Sequence, residues 1–192
     1  VKVFDQMRKL QSYTDEGSPG RDWNVATGMV IEGKAGFQIM GDWAKGEFTA
    51  AGKKPGVDYY CAATPSNNGY LYNVDSFIFY KTSDPDKQAG QKLLAKLMMG
   101  KNFQKVFNLY KGSIPARLDV PMDEFDSCAK TSNADIKTAG AKGGLVPSFA
   151  HGMAQGNTMK AALQDIITEH FNSDMSSVDA ANALADSVLA NM

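Results

Sequence analysis

The apolar residues of this sequence come in short runs, each closed by glycine, proline or a polar residue. Two of the longest, Tyr59–Ala63 and Phe77–Tyr80, fall far short of the roughly 20 residues that a membrane-spanning helix needs. Such punctuation favours short buried strands set among amphipathic helices, and 192 residues are enough for one domain or two small ones. Phe37–Met40, bounded by glycines, and Tyr59–Ala63, leading to Thr64-Pro65, read as strands. Tyr70–Tyr80 reads as a third from its aromatic and β-branched content, with Asp75 interrupting it. Ser66-Asn67-Asn68-Gly69 reads as the loop before it.

Helical periodicity fills the rest. Val3, Met7 and Leu10 mark the tail of a first helix, and Trp23, Ala26 and Val30 a second over Asp22–Glu32. Asp84 caps a helix that starts at Pro85 and is striped by Ala89, Leu93 and Leu97. Phe103, Val106, Phe107 and Tyr110 place another over 102–110, and a helical stretch is expected from about Asp119 to Ala139. Gly140–Pro147 reads as a connector, and two last helices cover 157–170 and 177–190, the second opened by a Ser176-to-Asp179 capping box. Strands alternating with helices place the chain in the α/β class.

Charge and motifs exclude several functions. Lys and Arg number 20 against 21 Asp and Glu, a net charge of −1, which supplies no positive field for nucleic acid or an anionic membrane. Gly28–Ala35 has the glycine and lysine spacing of a phosphate loop, but Ala35 stands where a magnesium-binding hydroxyl belongs and strand rather than helix follows. No G-x-G-x-x-G follows a strand and no G-x-S-x-G is present, so no cofactor is implied. His151 and His170 match no zinc spacing, and His170, beside Glu169 at a helix end, reads as solvated. Cys61 and Cys128 are too far apart for a C-x-x-C unit and would pair only in an oxidising compartment.

Four residues interrupt or follow apolar segments where local structure does not require them. Trp43 comes just after the Phe37–Met40 run, at the kind of strand end where ligand crevices open in α/β folds, although a core tryptophan would read the same. Asp75 puts a carboxylate into an apolar strand, which is costly unless it is partnered or faces water. Lys111 follows an aromatic helix end, where a cation also suits the helix dipole. His151 sits in the short, proline-led segment Pro147-Ser148-Phe149-Ala150-His151-Gly152.

Residues Gly33-Lys34-Ala35-Gly36-Phe37-Gln38-Ile39-Met40-Gly41-Asp42-Trp43 resemble the G-K-A-x-(apolar)-x-(apolar)-x-G-x-W stretch of the periplasmic solute-binding proteins of carbohydrate ABC transporters. The similarity continues through Tyr59–Pro65, Asn73–Phe77, the 84–110 helix pair and Lys111-Gly112-Ser113-Ile114-Pro115-Ala116-Arg117, and so covers nearly the whole chain. Within that family it is nearest to glucose-binding proteins of Gram-negative bacteria. The resemblance implies a periplasmic binding protein-like fold of type II, of which this chain is the C-terminal half. Residues 1–75 and 119–192 would form the C-terminal lobe and 76–118 a crossover segment belonging to the N-terminal lobe, most of which lies outside this sequence.

The resemblance also implies that a monosaccharide such as glucose lies between two lobes, that Trp43 stacks on it, and that Asp75, Lys111 and His151 bind its hydroxyls. A pyranose offers an indole a CH-rich face and offers charged groups a rim of hydroxyls, and charged partners strengthen those hydrogen bonds. It implies an inner-membrane permease as partner, a periplasmic location and therefore a Cys61–Cys128 disulfide. An isolated half would expose an apolar face and self-associate. The alternative is a carbohydrate-acting enzyme using Asp75 and His151, although glycosidases generally need two carboxylates.

Overall fold

The computed structural model describes residues 1–65 and 69–191; three of the four residues expected as the 66–69 loop lie outside the described residues. The fold is mostly helical, with eight α-helices and one two-stranded sheet among the described residues. The chain divides into two compact units.

The first unit takes Val1–Arg21, Leu71–Asn73 and the chain from Pro147 onward. Its helices are α1 (Lys2–Gln11), α7 (Asn157–Asn172) and α8 (Ser177–Ala190). Phe4 of α1, Leu163 and His170 of α7 and Ala180 of α8 are the buried side chains of these helices, and Ser148 is buried outside them. Arg8 and Gln11 bind the α7–α8 connection, Arg8 Nη2 donating to the Met175 carbonyl at 2.9 Å and Gln11 Nε2 to the Phe171 carbonyl. His170 overturns its expected solvation. It is 0% exposed, edge-on to the Phe4 ring at a centroid distance of 4.7 Å, with Nδ1 unpartnered. Local sequence shows only a helix end; burial comes from α1, more than 160 positions away in the chain. The α8 cap forms with a variation: Ser176 Oγ accepts from the Asp179 N–H at 3.1 Å and donates to the Asp179 carboxylate at 2.6 Å.

The second unit takes Asp22–Tyr70 and Val74–Val146. It contains α2 (Trp23–Ile31), a single 3-10 turn at Asp42–Ala44, α3 (Lys45–Ala50), α4 (Pro85–Met98), α5 (Lys101–Lys111) and α6 (Ser127–Ala141). Asp84 caps α4 as its sequence predicts, its carboxylate accepting from the N–H groups of Asp86 and Lys87. The helix expected from Asp119 begins only at Ser127. Pro121 interrupts the early part, and Asp126 caps α6 by accepting from the Ala129 N–H at 2.8 Å. Val120 and Phe125 instead fold back in the loop and pack with Ala129, against Leu109, Ile114 and Met122.

The strands depart most from expectation. Only Tyr70–Tyr72 (β1) forms in the long 70–80 run, and it pairs with Leu145–Pro147 (β2), inside what reads as a connector. Tyr70 N–H donates to Gly144 O and Ser148 N–H to Tyr72 O, both at 2.8 Å. Both partners advance together along the chain, the register of a parallel pair. Phe37–Met40 and Phe77–Tyr80 have no strand assignment, and Tyr59 makes only an isolated bridge to Pro55. Their side chains are correspondingly open: Phe37 is 96%, Tyr60 84% and Ile78 79% exposed. A strand is defined by its neighbour, and among the described residues these segments have no strand beside them.

Cys61 and Cys128 are disulfide-bonded, tying the 59–63 segment to the first turn of α6.

Candidate functional site

Three of the four predicted residues lie in the second unit: Trp43, Asp75 and Lys111. Trp43 is the middle residue of the 3-10 turn, half-buried, with its indole laid against Gly41; a Cβ at that glycine would overlap the ring. The glycine before Asp42 therefore sets where the indole lies. Lys111 is the last residue of α5, and its Nζ pairs with the Asp75 carboxylate, 36 positions earlier, while standing 5.9 Å from the Phe107 ring centroid. The carboxylate that seemed costly in an apolar strand is thus partnered and largely exposed, in a segment that is not a strand.

Two glycines bring these parts together. Gly112, which ends α5 with φ of +88°, and Gly46 of α3 are in direct backbone contact: a Cβ built on Gly46 would stand 2.8 Å from the Lys111 carbonyl oxygen. Because neither residue has a side chain, the end of α5 reaches the start of α3, immediately after the turn that carries Trp43.

The 112–116 loop is pinned on three sides. Ser113 Oγ donates to Asn108 Oδ1 at 2.8 Å, Ile114 N–H donates to Asp42 Oδ2 at 2.8 Å, and Ala116 N–H donates to Gln104 Oε1 at 3.2 Å. Burial raises the Asp42 carboxyl above its ordinary value, against the opposing pull of the Ile114 N–H and the charges of Lys45 and Lys111. Lys45, its side chain only 7% exposed, donates to Asp126 at 2.8 Å. Burial works to raise Asp126, but the Lys45 ammonium and the Ala129 and Cys128 N–H groups outweigh it and hold the carboxyl below its ordinary value. Tyr59, stacked on Phe48 at 4.1 Å, is pushed up to about 12 by burial and by Asp126.

Sequence reasoning missed Asp42, Lys45 and Asp126, which position the parts without being exposed. A signal existed for Asp42: a carboxylate directly after an apolar run raises the question of its partner, as it did for Asp75. Nothing local could pair Lys45 with a residue 81 positions on.

His151 belongs to the first unit, where it is exposed and its Nδ1 lies 2.6 Å from the hydroxyl of buried Ser148. A cleft of about 500 Å³ in that unit is lined by Arg8, Gln11, Asn172 and Ser173–Ser177, and includes none of the four predicted residues. Among the described residues, no group of three or more His, Cys, Asp or Glu could hold a metal, and no helix is long and apolar enough to cross a membrane.

Residues 1–142 match the family described as bacterial extracellular solute-binding protein. A "Probable sugar-binding periplasmic protein" of Brucella suis is 48% identical over 188 residues, covering 97% of this chain and 44% of its own length. A protein of the same description from Rhizobium meliloti is 45% identical over 188 residues, covering 97% of this chain and 45% of its own. The xylose/arabinose-binding protein of Haloferax volcanii is 26% identical over 196 residues, 98% of this chain and 40% of its own. The chain thus spans a little under half the length of these relatives. Matched over residues 1–142, most of its length, this chain belongs to the bacterial extracellular solute-binding protein family.

Proposed function

We propose that this chain is part of a periplasmic protein that binds a monosaccharide, glucose or a close relative, and hands it to an inner-membrane ABC permease. The observation that carries this reading is the Asp75–Lys111 pair, held next to the turn that bears Trp43. An indole face beside a paired anion and cation is the chemistry a pyranose requires: a flat CH-rich ring meets the indole, and hydroxyls both donate to a carboxylate and accept from an ammonium. His151 is assigned to the sugar on the resemblance alone. The family binds solutes rather than transforming them, and its location outside the cytoplasmic membrane accords with the disulfide.

In the same reading the whole protein is a two-lobed, type II binding protein, with 1–75 and 119–192 in the C-terminal lobe and 76–118 contributing to the N-terminal lobe. The open apolar side chains of Phe77, Ile78, Phe79 and Tyr80, and of Leu93 and Leu97 on α4, support it, because a crossover segment leaves such a face without the rest of its lobe.

Calorimetry on the full-length protein tests the proposal. Saturable, reversible glucose binding, weakened in Lys111→Ala and Trp43→Ala, is expected. Absence of binding across a panel of hexoses and pentoses would overturn the sugar reading. Release of the aglycone from an aryl glucoside would replace it by an enzyme using Asp75 and His151.

A further inference from the structure

Asp42 is placed unlike any of the residues expected to meet the sugar. It opens the 3-10 turn, directly before Trp43, and its carboxylate accepts a hydrogen bond from the Ile114 N–H, 72 positions away, at 2.8 Å. It faces the charges of Lys45 and Lys111 and stands near enough to Tyr70 to bear on that phenol. One half-buried carboxylate therefore joins the turn that carries the indole to the loop that follows the ammonium.

We infer that Asp42 is a positioning residue of the sugar site, fixing the Trp43 indole and the Lys111 ammonium relative to each other without touching ligand itself. The inference rests on the sugar-binding reading for its consequence and on hydrogen-bond geometry for its cause. A stacking ring and a hydroxyl-binding cation help only when both meet the same ring at once, and a binding group misplaced by even an ångström loses much of its effect. Gly46 and Gly112 bring the backbones together, and the Asp42–Ile114 hydrogen bond adds a directional tie between the turn and the loop. Removing the acceptor leaves a half-buried N–H without its partner, and the loop shifts to hydrate it.

The test uses full-length protein labelled with 5-fluorotryptophan, its Trp43 ¹⁹F resonance assigned by disappearance in Trp43→Phe. In Asp42→Ala the Trp43 resonance should move and broaden while the other tryptophan resonances stay, and glucose affinity should fall about tenfold, equivalent to about 1.4 kcal/mol. Asp42→Asn, which keeps an oxygen for the Ile114 N–H, should restore the resonance and most of the affinity. If Asp42→Ala does not fold, Asp42→Glu, which keeps the charge but moves the oxygen by a methylene, should show the same displaced resonance. A folded Asp42→Ala or Asp42→Glu with an unmoved Trp43 resonance and unchanged affinity overturns the inference. A wild-type protein that binds no sugar while its Trp43 resonance still depends on Asp42 overturns the sugar reading and upholds the positioning role.

Discussion

The contact between Gly46 and Gly112 yields a prediction whose size can be worked out in advance. Gly112 has φ of +88°, a left-handed conformation that costs an ordinary residue roughly 1–2 kcal/mol. An added Cβ would also lie 3.0 Å from the Lys45 carbonyl carbon and 3.1 Å from Lys45 Cβ, nearer than real Cβ atoms ordinarily approach. Backbone cannot rotate away as a flexible side-chain end can, so an overpacking cost of about 1–3 kcal/mol adds to the first. Gly112→Ala should therefore lose about 2–5 kcal/mol. Gly143→Ala is the control: it lies in the same unit, has φ of +67° and has nothing within 4 Å of the added Cβ, so only the conformational cost applies. Equilibrium urea unfolding of both variants, with unchanged slopes, measures the difference, expected at about 1–3 kcal/mol. Equal losses in the two variants would mean that the α3–α5 approach is not a tight contact, and that Lys111 is not held against the Trp43 turn by close packing.

Other perturbations read other parts of the molecule. Trp43→Ala in the full-length protein should weaken sugar binding by about 1–3 kcal/mol by calorimetry; a lowered melting temperature at unchanged affinity would make the indole structural. Reducing the Cys61–Cys128 bond, which closes 67 positions of chain, should cost about 4 kcal/mol in urea unfolding on the chain-entropy view. Burial, aided by the Arg8 charge and opposed by Asp5, lowers the His170 pKa from its ordinary 6.5, so the unfolded chain binds the proton more readily. Stability should then be full above pH 6.5 and fall as the pH drops below it, and His170→Phe should flatten that dependence in pH-resolved melts. The 192-residue chain alone should bind glucose weakly or undetectably and self-associate in light scattering; a monomer binding at micromolar concentration would contradict the two-lobed reading.

How far the sequence could be read depended on the distance over which each feature is determined. The Asp84 and Ser176 caps are set by residues within a few positions, and they form where the pattern puts them. Phe37–Met40 and Phe77–Tyr80 have the composition of strands, yet composition marks only a readiness to pair; the neighbouring strand is a property of other segments, and the described residues supply none. Several of those same residues, Phe37, Ile78 and Tyr80 among them, stand strongly exposed instead.

The site divides along the same line. Trp43, Asp75 and Lys111 could be singled out because each breaks a local pattern, and the structure joins Asp75 to Lys111 directly. The groups that hold them are a different matter. Asp42 meets Ile114, Lys45 meets Asp126 and Cys61 meets Cys128 across 72, 81 and 67 positions, and in each case at least one partner looks locally ordinary. Asp126 has two roles: it receives Lys45, and it caps α6, whose first turn carries Cys128. A carboxylate shared in this way ties the α3 end of the Trp43 turn to the disulfide. Rigidity at Trp43 should thus depend on residues outside the proposed ligand contacts, so substitutions at Asp42 and Gly112 test the proposed sugar site alongside substitutions of the residues that would touch it.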